Sequence, residues 1–244
     1  MSYTIKKIEI DSKVFGYDVW DISDACSFED FKQALKDIYQ PKKKSFVSCK
    51  IPINEISKIS NAQEAGFMYS ETQFRTKVRL KLEKNNFKFP YNYIKIQNED
   101  QLNEVLEIAN TTFEHDRYTL DSRIGKTLAG KRYMAYLEKS FWEPDEEIWG
   151  VQSKKSGRIV SFRSHRVVSN REVLLLIGGV QPNLKGLGLG VLSTEYCFNQ
   201  LALDGYLHAV SHIPAANIPI INLEVGNFKF RIIDAFIVLS KHVD

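Results

Sequence analysis

The sequence predicts an α+β protein in two parts, a smaller α/β unit over residues 1–90 and a larger unit over 91–244. Three observations predict it. First, an apolar run at 173–177 reads as a buried strand, a turn with Gly186, Gly188 and Gly190 follows, and from 191 to about 202 apolar residues recur at helical spacing. Second, Phe28, Phe31, Leu35 and Ile38 mark one face of a helix over 27–39, with Ser27 as N-cap and a Glu-Asp first turn. Third, 67–82 alternates polar and apolar residues, as a strand or hairpin does.

In chain order, Ile8–Ile10 and 17–20 read as short strands ahead of the 27–39 helix. A strand over 45–51, a helix over 54–65 and the long strand or hairpin at 67–82 complete the first unit. Residues 83–93 are polar and broken by Pro90, which sets the boundary near residue 90. There is an internal echo. Residues 45–82 run strand, Ile-Pro, helix, Gly-Phe, strand, and 208–242 run strand, Ile-Pro, helix, Asn-Phe, strand. The first unit therefore reads as a degenerate copy of the second half of the other, without its glycine turn.

Composition bounds the function. At 244 residues, 43% hydrophobic and 26% charged, the chain is an ordinary globular protein. No apolar run approaches the ~20 residues of a membrane span, and the N-terminus lacks the apolar region of a signal peptide. Cys26, Cys49 and Cys197 are odd in number and unclustered, which suits a reducing cytoplasm and offers no metal site. The five histidines lack zinc spacing, and a net charge of +3 is too small to imply nucleic acid. The expected partner is a small molecule rather than a membrane or nucleic acid; a homo-oligomer is compatible with the sequence.

The glycine turn carries the chemistry. A strand that turns into a helix through three glycines presents backbone N–H groups and a helix N-terminus to an anion, and Lys185 adds charge. The nucleoside-triphosphate loop is not matched: Gly125-Lys126-Thr127 lacks the upstream glycine and strand. Nor is the G-x-G-x-x-G dinucleotide fingerprint, since the spacing here is G-x-G-x-G.

Val180, Pro182, Lys185, Gly186, Gly188 and Gly190 follow V-x-P-x-x-[KR]-G-x-G-x-G, which resembles the coenzyme A pyrophosphate loop of the GNAT acyltransferase superfamily. Around it, 94–96 and 100–113 resemble that family's first strand and helix. Residues 148–152, 158–168 and 173–180 read as three antiparallel strands before the loop, and 206–211 as the next strand. Asn217 resembles the asparagine that opens the family's following helix. The resemblance implies a mixed, mostly antiparallel central sheet flanked by helices. It also implies a coenzyme A thioester as co-substrate, bound by Gly178, Gly179, Val180, Lys185, Gly186, Leu187, Gly188, Gly190, Val191 and Asn217.

Two further segments narrow the resemblance. Asp11-Ser12-Lys13-Val14-Phe15-Gly16-Tyr17 is similar to the entry segment of nucleotide-sugar N-acyltransferases, such as the TDP-fucosamine acetyltransferases, though Ile10 stands where that group has tryptophan. Residues 113–121 are similar to its F-x-x-[SD]-R-[FY]-x-x-D segment, and Tyr133 and Tyr136 fall where its second helix carries aromatics. The implied acceptor is the amine of a TDP-linked 3- or 4-amino-dideoxy sugar, and the donor acetyl- or 3-hydroxybutanoyl-CoA. Phe15, Tyr17 and Tyr118 would pack on the sugar's methyl group, with Arg117, Asp121, Arg163 and His165 binding polar groups. The pathway implied is lipopolysaccharide or O-antigen biosynthesis.

The expected reaction is direct attack of the amine on the thioester in a ternary complex, with a backbone N–H near Gly178–Val180 as oxyanion donor. The family's acidic tyrosine falls at Glu224, whose bland reading is a solvated helix residue. Glu224 and His212 are the candidate proton-handling groups, with His212 as the expected near-neutral base. Other readings are acetylation of a protein N-terminus, polyamine or aminoglycoside, or a non-catalytic acyl-CoA-binding module.

Overall fold

The computed structural model describes residues 3–82 and 90–243, so residues 83–89 of the expected linker lie outside it. One ten-stranded, mostly antiparallel sheet crosses the molecule in the order β1-β2-β3-β10-β4-β9-β8-β7-β6-β5. The first unit supplies β1 (Thr4–Lys7), α1 (Glu9–Phe15), β2 (Asp18–Ser23), α2 (Phe28–Ile38), β3 (Ser45–Pro52), α3 (Ile56–Glu64) and β4 (Met68–Arg79). Next come β5 (Tyr91–Lys95), α4 (Glu99–Thr112), α5 (Arg117–Leu120), α6 (Gly125–Trp142), β6 (Glu146–Ser153), β7 (Ile159–Ser169) and β8 (Glu172–Val180). The chain closes with α7 (Leu189–Leu203), β9 (His208–Pro214), α8 (Ile218–Ile221) and β10 (Arg231–Val243).

Most elements follow local chemistry, although residues 91–93 of the expected linker belong to β5. The Ser27 hydroxyl accepts from the Asp30 N–H and the Asp30 carboxylate from the Ser27 N–H, the reciprocal cap that the sequence anticipates. The expected strand at Ile8–Ile10 is instead the entry to α1. Asp11 and Phe15 are both buried there, four residues apart on one helical face, and Gly16 at φ 76° ends the helix. A two-residue apolar alternation was too short a signal to distinguish the two.

The C-terminal strand does not pair within its own half. β10 lies between β3 and β4, antiparallel to both, and β4 in turn pairs with β9. Each half thus lends its last strand to the other. The echoing segments 45–82 and 208–242 contribute β3 and β4, and β9 and β10, to a four-strand patch in the order β3-β10-β4-β9, related by an approximate two-fold between β10 and β4.

Side-chain alternation sorts the helices onto two faces. Val47, Cys49 and Ile51 of β3 pack with Phe31, Ala34 and Ala62 of α2 and α3. Val173 and Ala209 pack on the same side with Cys197 and Phe198 of α7. On the other face Phe162 packs beneath α4 and α6, and Phe46 meets Tyr118 of α5. Strands β8 and β9 run parallel but pair at only three positions, Glu172↔His208, Val173↔Ala209 and Leu174↔Val210, and then part.

Since β10 takes both its neighbours from the first unit, residues 91–244 expressed alone are expected to be insoluble or lack a cooperative thermal transition. Co-expression with residues 1–90 should restore both. A lone 91–244 fragment that melts cooperatively would show that the exchange is dispensable.

Candidate functional site

Where β8 and β9 part, a cavity of about 1090 Å³ opens and extends from the glycine turn to the strands of the first unit. The start of α7 lines one part of it. A 3₁₀ turn over Pro182–Leu184 leads in, and Gly186 and Gly188 adopt φ 81° and 80°, which L side chains rarely tolerate. Gly188 is the N-cap and offers no capping side chain, and the first turn holds no acidic residue. The first N–H groups of α7 have no intrahelical acceptors. A Cβ added at Gly186 or Gly188 would meet nothing within 4 Å, and one at Gly190 only Leu223 at 4.0 Å. The turn is an open, positively polarised cradle.

Other residues predicted for this end divide. Gly178, Gly179, Val180, Lys185, Val191 and Asn217 line the cavity, whereas the Leu187 side chain is exposed and does not. Lys185 Nζ lies 3.8 Å from Glu114, which is also held by Lys126. Gly179 has a packing reason to lack a side chain, since its Cβ would meet Phe162 at 2.9 Å. Asn217 caps α8, its Oδ1 accepting from the Ile220 N–H at 3.4 Å.

Glu224 departs from the solvated reading. Asn222–Asn227 form a π-helical turn after α8, and this turn buries Glu224 to 3% exposure in the cavity wall. Its carboxylate accepts from Thr76 Oγ1 at 3.0 Å. Burial raises its pKa, with Arg163 and the hydroxyls of Thr76 and Ser211 pulling it back. Sequence spacing could not show this, because Thr76 comes from β4 of the other half.

His212 departs from the near-neutral base. Desolvation, then the charges of Lys50 and Arg75, lower its pKa to about 4, with Asp234 opposing. Its Nδ1 lies 3.0 Å from Lys50 Nζ, which also donates to Gln73 Oε1 at 2.5 Å. An ammonium only donates, so Nδ1 accepts and its lone pair is occupied. Lys50 is exposed and lines the cavity; desolvation and then the charge of Arg117 lower its pKa to about 8, with Glu71 opposing.

The segment after α4 forms a charged roof over the strands of the first unit. Arg117 Nη1 donates to Glu71 at 2.8 Å and Nη2 to the Tyr118 hydroxyl at 2.9 Å. Tyr118 donates to Asp11 at 3.2 Å, and Asp11 pairs with Arg132 at 2.9 Å. The two guanidinium groups lie 4.5 and 4.3 Å from the Tyr118 ring centroid. Arg117, Tyr118, Asp11, Arg132 and Glu71 all line the cavity.

Four predicted substrate residues are elsewhere. Phe15 is buried against Tyr118 and Phe46, and Tyr17 packs beside it. Asp121 pairs with His242 at 2.7 Å rather than with Arg117. His165 is buried on the α7 face, 3.7 Å from Glu147. Arg163 does line the cavity, and its side chain donates to Thr194 of α7. The sequence reading passed over Lys50, Gln73, Glu71 and Arg132. Only Lys50 left a trace, as a lone cation between Cys49 and Ile51 in an apolar strand.

No family model matches the sequence, and no curated protein matches it. Solved structures do match in shape. A GCN5-related N-acetyltransferase from Sphaerobacter thermophilus aligns with TM-score 0.68 at 10% identity, covering 99% of this chain and 76% of that one. The fold is that of the GNAT acetyltransferases. A second GCN5-related N-acetyltransferase, from Kribbella flavida, aligns at 0.59 with 13% identity over 92% of this chain and 81% of its own. A tandem GNAT protein from the clavulanic acid biosynthesis pathway aligns at 0.60 with 11% identity over 93% and 76%. In this GNAT fold, no helix among the described residues is long and apolar enough to cross a membrane.

The lowered pKa of His212 has a consequence for stability. An unfolded histidine titrates near 6.5 and the folded one at about 4, so between these values only the unfolded chain takes the proton. The His212 contribution to stability is therefore present above pH 6.5 and lost as pH falls toward 4. Urea unfolding should show His212→Asn losing less stability over this window than the wild type; parallel curves would contradict the placement.

Proposed function

We propose that this chain transfers an acyl group from coenzyme A to the amine of a TDP-linked 3- or 4-amino-dideoxy sugar, with acetyl or 3-hydroxybutanoyl as the group moved. The observation that carries the reading is the uncapped, glycine-lined start of α7, opening directly into the gap between β8 and β9. The pyrophosphate would lie on the N–H groups of 186–191, and the pantetheine would run between the parted strands. Gly178–Val180 pair with β7 on one side, but β9 has already parted from them on the other, so N–H groups on that free side have no strand to pair with and would face the thioester oxygen. Arg117, Tyr118 and the first unit's strands would receive the nucleotide sugar.

The amine nitrogen attacks the thioester carbon; the C–N bond forms, the C–S bond breaks, and one proton moves from nitrogen to sulfur. Glu224 suits both ends of that movement. A raised pKa makes its carboxylate a better base toward the ammonium and its acid form a donor to the thiolate. His212, with a pKa of about 4 and its Nδ1 occupied by Lys50, does not suit the base role first expected of it.

Two variants test the reading. Gly190→Asp places a carboxylate in the first turn of α7, where it favours the helix but opposes a pyrophosphate. Its thermal midpoint should hold or rise while CoA affinity falls by roughly tenfold or more; unchanged affinity would sink the loop assignment. Glu224→Gln should keep CoA affinity and lower kcat by about 10²–10³-fold. The wild-type kcat/KM should rise with pH through a limb above the ordinary carboxylate range, and the Gln variant should lose that limb. A Gln variant with near-normal kcat would remove Glu224 from the chemistry.

A further inference from the structure

The α5/α6 face of the four-strand patch carries a cation the acyl-transfer chemistry does not use. Lys50 sits on β3, which β10, β4 and β9 separate from β8. Four strand spacings put the β3 backbone roughly 19 Å from β8, and the ammonium reaches as far as His212 on β9, at 3.0 Å. The coenzyme's pyrophosphate has its own cradle at the start of α7. Lys50 lines the same cavity.

Its neighbours aim it without neutralising it. Gln73 Oε1 and His212 Nδ1, both uncharged acceptors, take two of its three N–H bonds, and the Phe236 ring lies 4.3 Å from Nζ. The carboxylates on this face are engaged elsewhere. Glu71 is held by Arg117 at 2.8 Å, Asp234 by Arg75 at 3.2 Å, and Asp21 accepts from Ser48 at 3.1 Å. Among the described residues no carboxylate lies within ion-pair distance of Lys50. Arg117 and Arg75 add positive field, which Glu71 and Asp21 partly offset. A cation held by neutral acceptors at a cavity wall, with one donor left, is built for an anion that is not part of the protein.

We infer that Lys50, aimed by Gln73 and His212, anchors an anionic group on the acceptor, so that the substrate is an amine that also carries a phosphate or a carboxylate. The inference rests on the acyl-CoA reading of the same cleft and names the residue that holds its acceptor's anionic group. It makes the first unit part of the acceptor site. It gives His212 a positioning role, since a neutral imidazole keeps the Lys50 ammonium pointed into the cavity. It also disfavours polyamines and aminoglycosides, which would bring cations to a cation.

Calorimetry on the full chain tests this with CoA already bound. Wild type, Lys50→Met and Lys50→Arg are titrated with thymidine diphosphate, with glutamate and with spermidine. Wild type should bind at least one anionic probe, and which one binds separates a nucleotide from an amino-acid acceptor. Lys50→Met should weaken that probe by about 10–100-fold, the range for losing a charged hydrogen bond, while Lys50→Arg retains most of the affinity. CoA affinity should stay within about twofold in both variants. If Lys50→Met does not fold, Lys50→Gln keeps the size and polarity without the charge. The inference is overturned if wild type binds neither anion, if the Met variant binds them as tightly, or if spermidine binds best. Loss of CoA binding in the wild type would instead refute the acyl-CoA reading, and that titration is read separately.

Discussion

The structure depends on the exchange of last strands between its halves. β4 needs β9 and β10 at its two edges, and β10 needs β3 and β4. Without the exchange, β9 would present an unpaired edge beside the cleft, and the gap between β8 and β9 would have a loose wall. With it, β9 is pinned by seven paired positions to β4 along its far side, from Gln73↔Pro214 to Arg79↔His208. The parting from β8 can then be held open by the sheet itself. Thr76 and Gln73, which touch Glu224 and Lys50, arrive at the site on β4 for the same reason.

The same architecture occurs twice, and only one copy is open. β2 and β3 run parallel as β8 and β9 do, with α2 leaving after β2 as α7 leaves after β8. But β2 and β3 stay paired over five positions, to Ile22↔Cys49. The start of α2 is closed by the Ser27–Asp30 capping box, with Glu29 and Asp30 in its first turn. Those carboxylates already meet the helix dipole and would repel an anionic ligand. At α7 the cap is a glycine and the first turn carries no acid. A few side chains at a helix start therefore separate a closed copy from an open one, on backbones of similar course.

Much of this was legible in the sequence because it is local. The α2 cap, the glycine turn and most strand periodicities are set within a dozen residues and appear where the pattern puts them, the short run at Ile8–Ile10 excepted. The echo between 45–82 and 208–242 was visible, but its consequence was not, since pairing partners are chosen across the whole chain. The same non-locality hid the site's electrostatics. Glu224 looked solvated because its burial depends on a π-helical turn and on Thr76 far away in the chain. His212 looked like a near-neutral base because its low pKa comes from burial in the folded sheet and then from Lys50 and Arg75 on other strands. Arg117 and Asp121 have the spacing of a helix-surface pair, but a four-residue helix leaves each free to find a tertiary partner, Glu71 and His242 respectively.

One alternation on β9 then organises the functions. Ser211 and His212 are adjacent, so their side chains leave opposite faces of the sheet. Ser211 and its cross-strand partner Thr76 face Glu224, where a desolvated carboxyl is suited to moving a proton. His212 and its partner Arg75 face the other way, toward Lys50 and the charged roof of Arg117, Tyr118 and Arg132. If both groups shared a face, the Lys50 charge would lower the Glu224 pKa, and Glu224 would pair with Lys50 and remove the free cation. Separation by the sheet lets one residue stay easily protonated and the other stay unpaired. The gap between β8 and β9 lets the two faces communicate within one cavity, which is where a thioester and an incoming amine would have to meet.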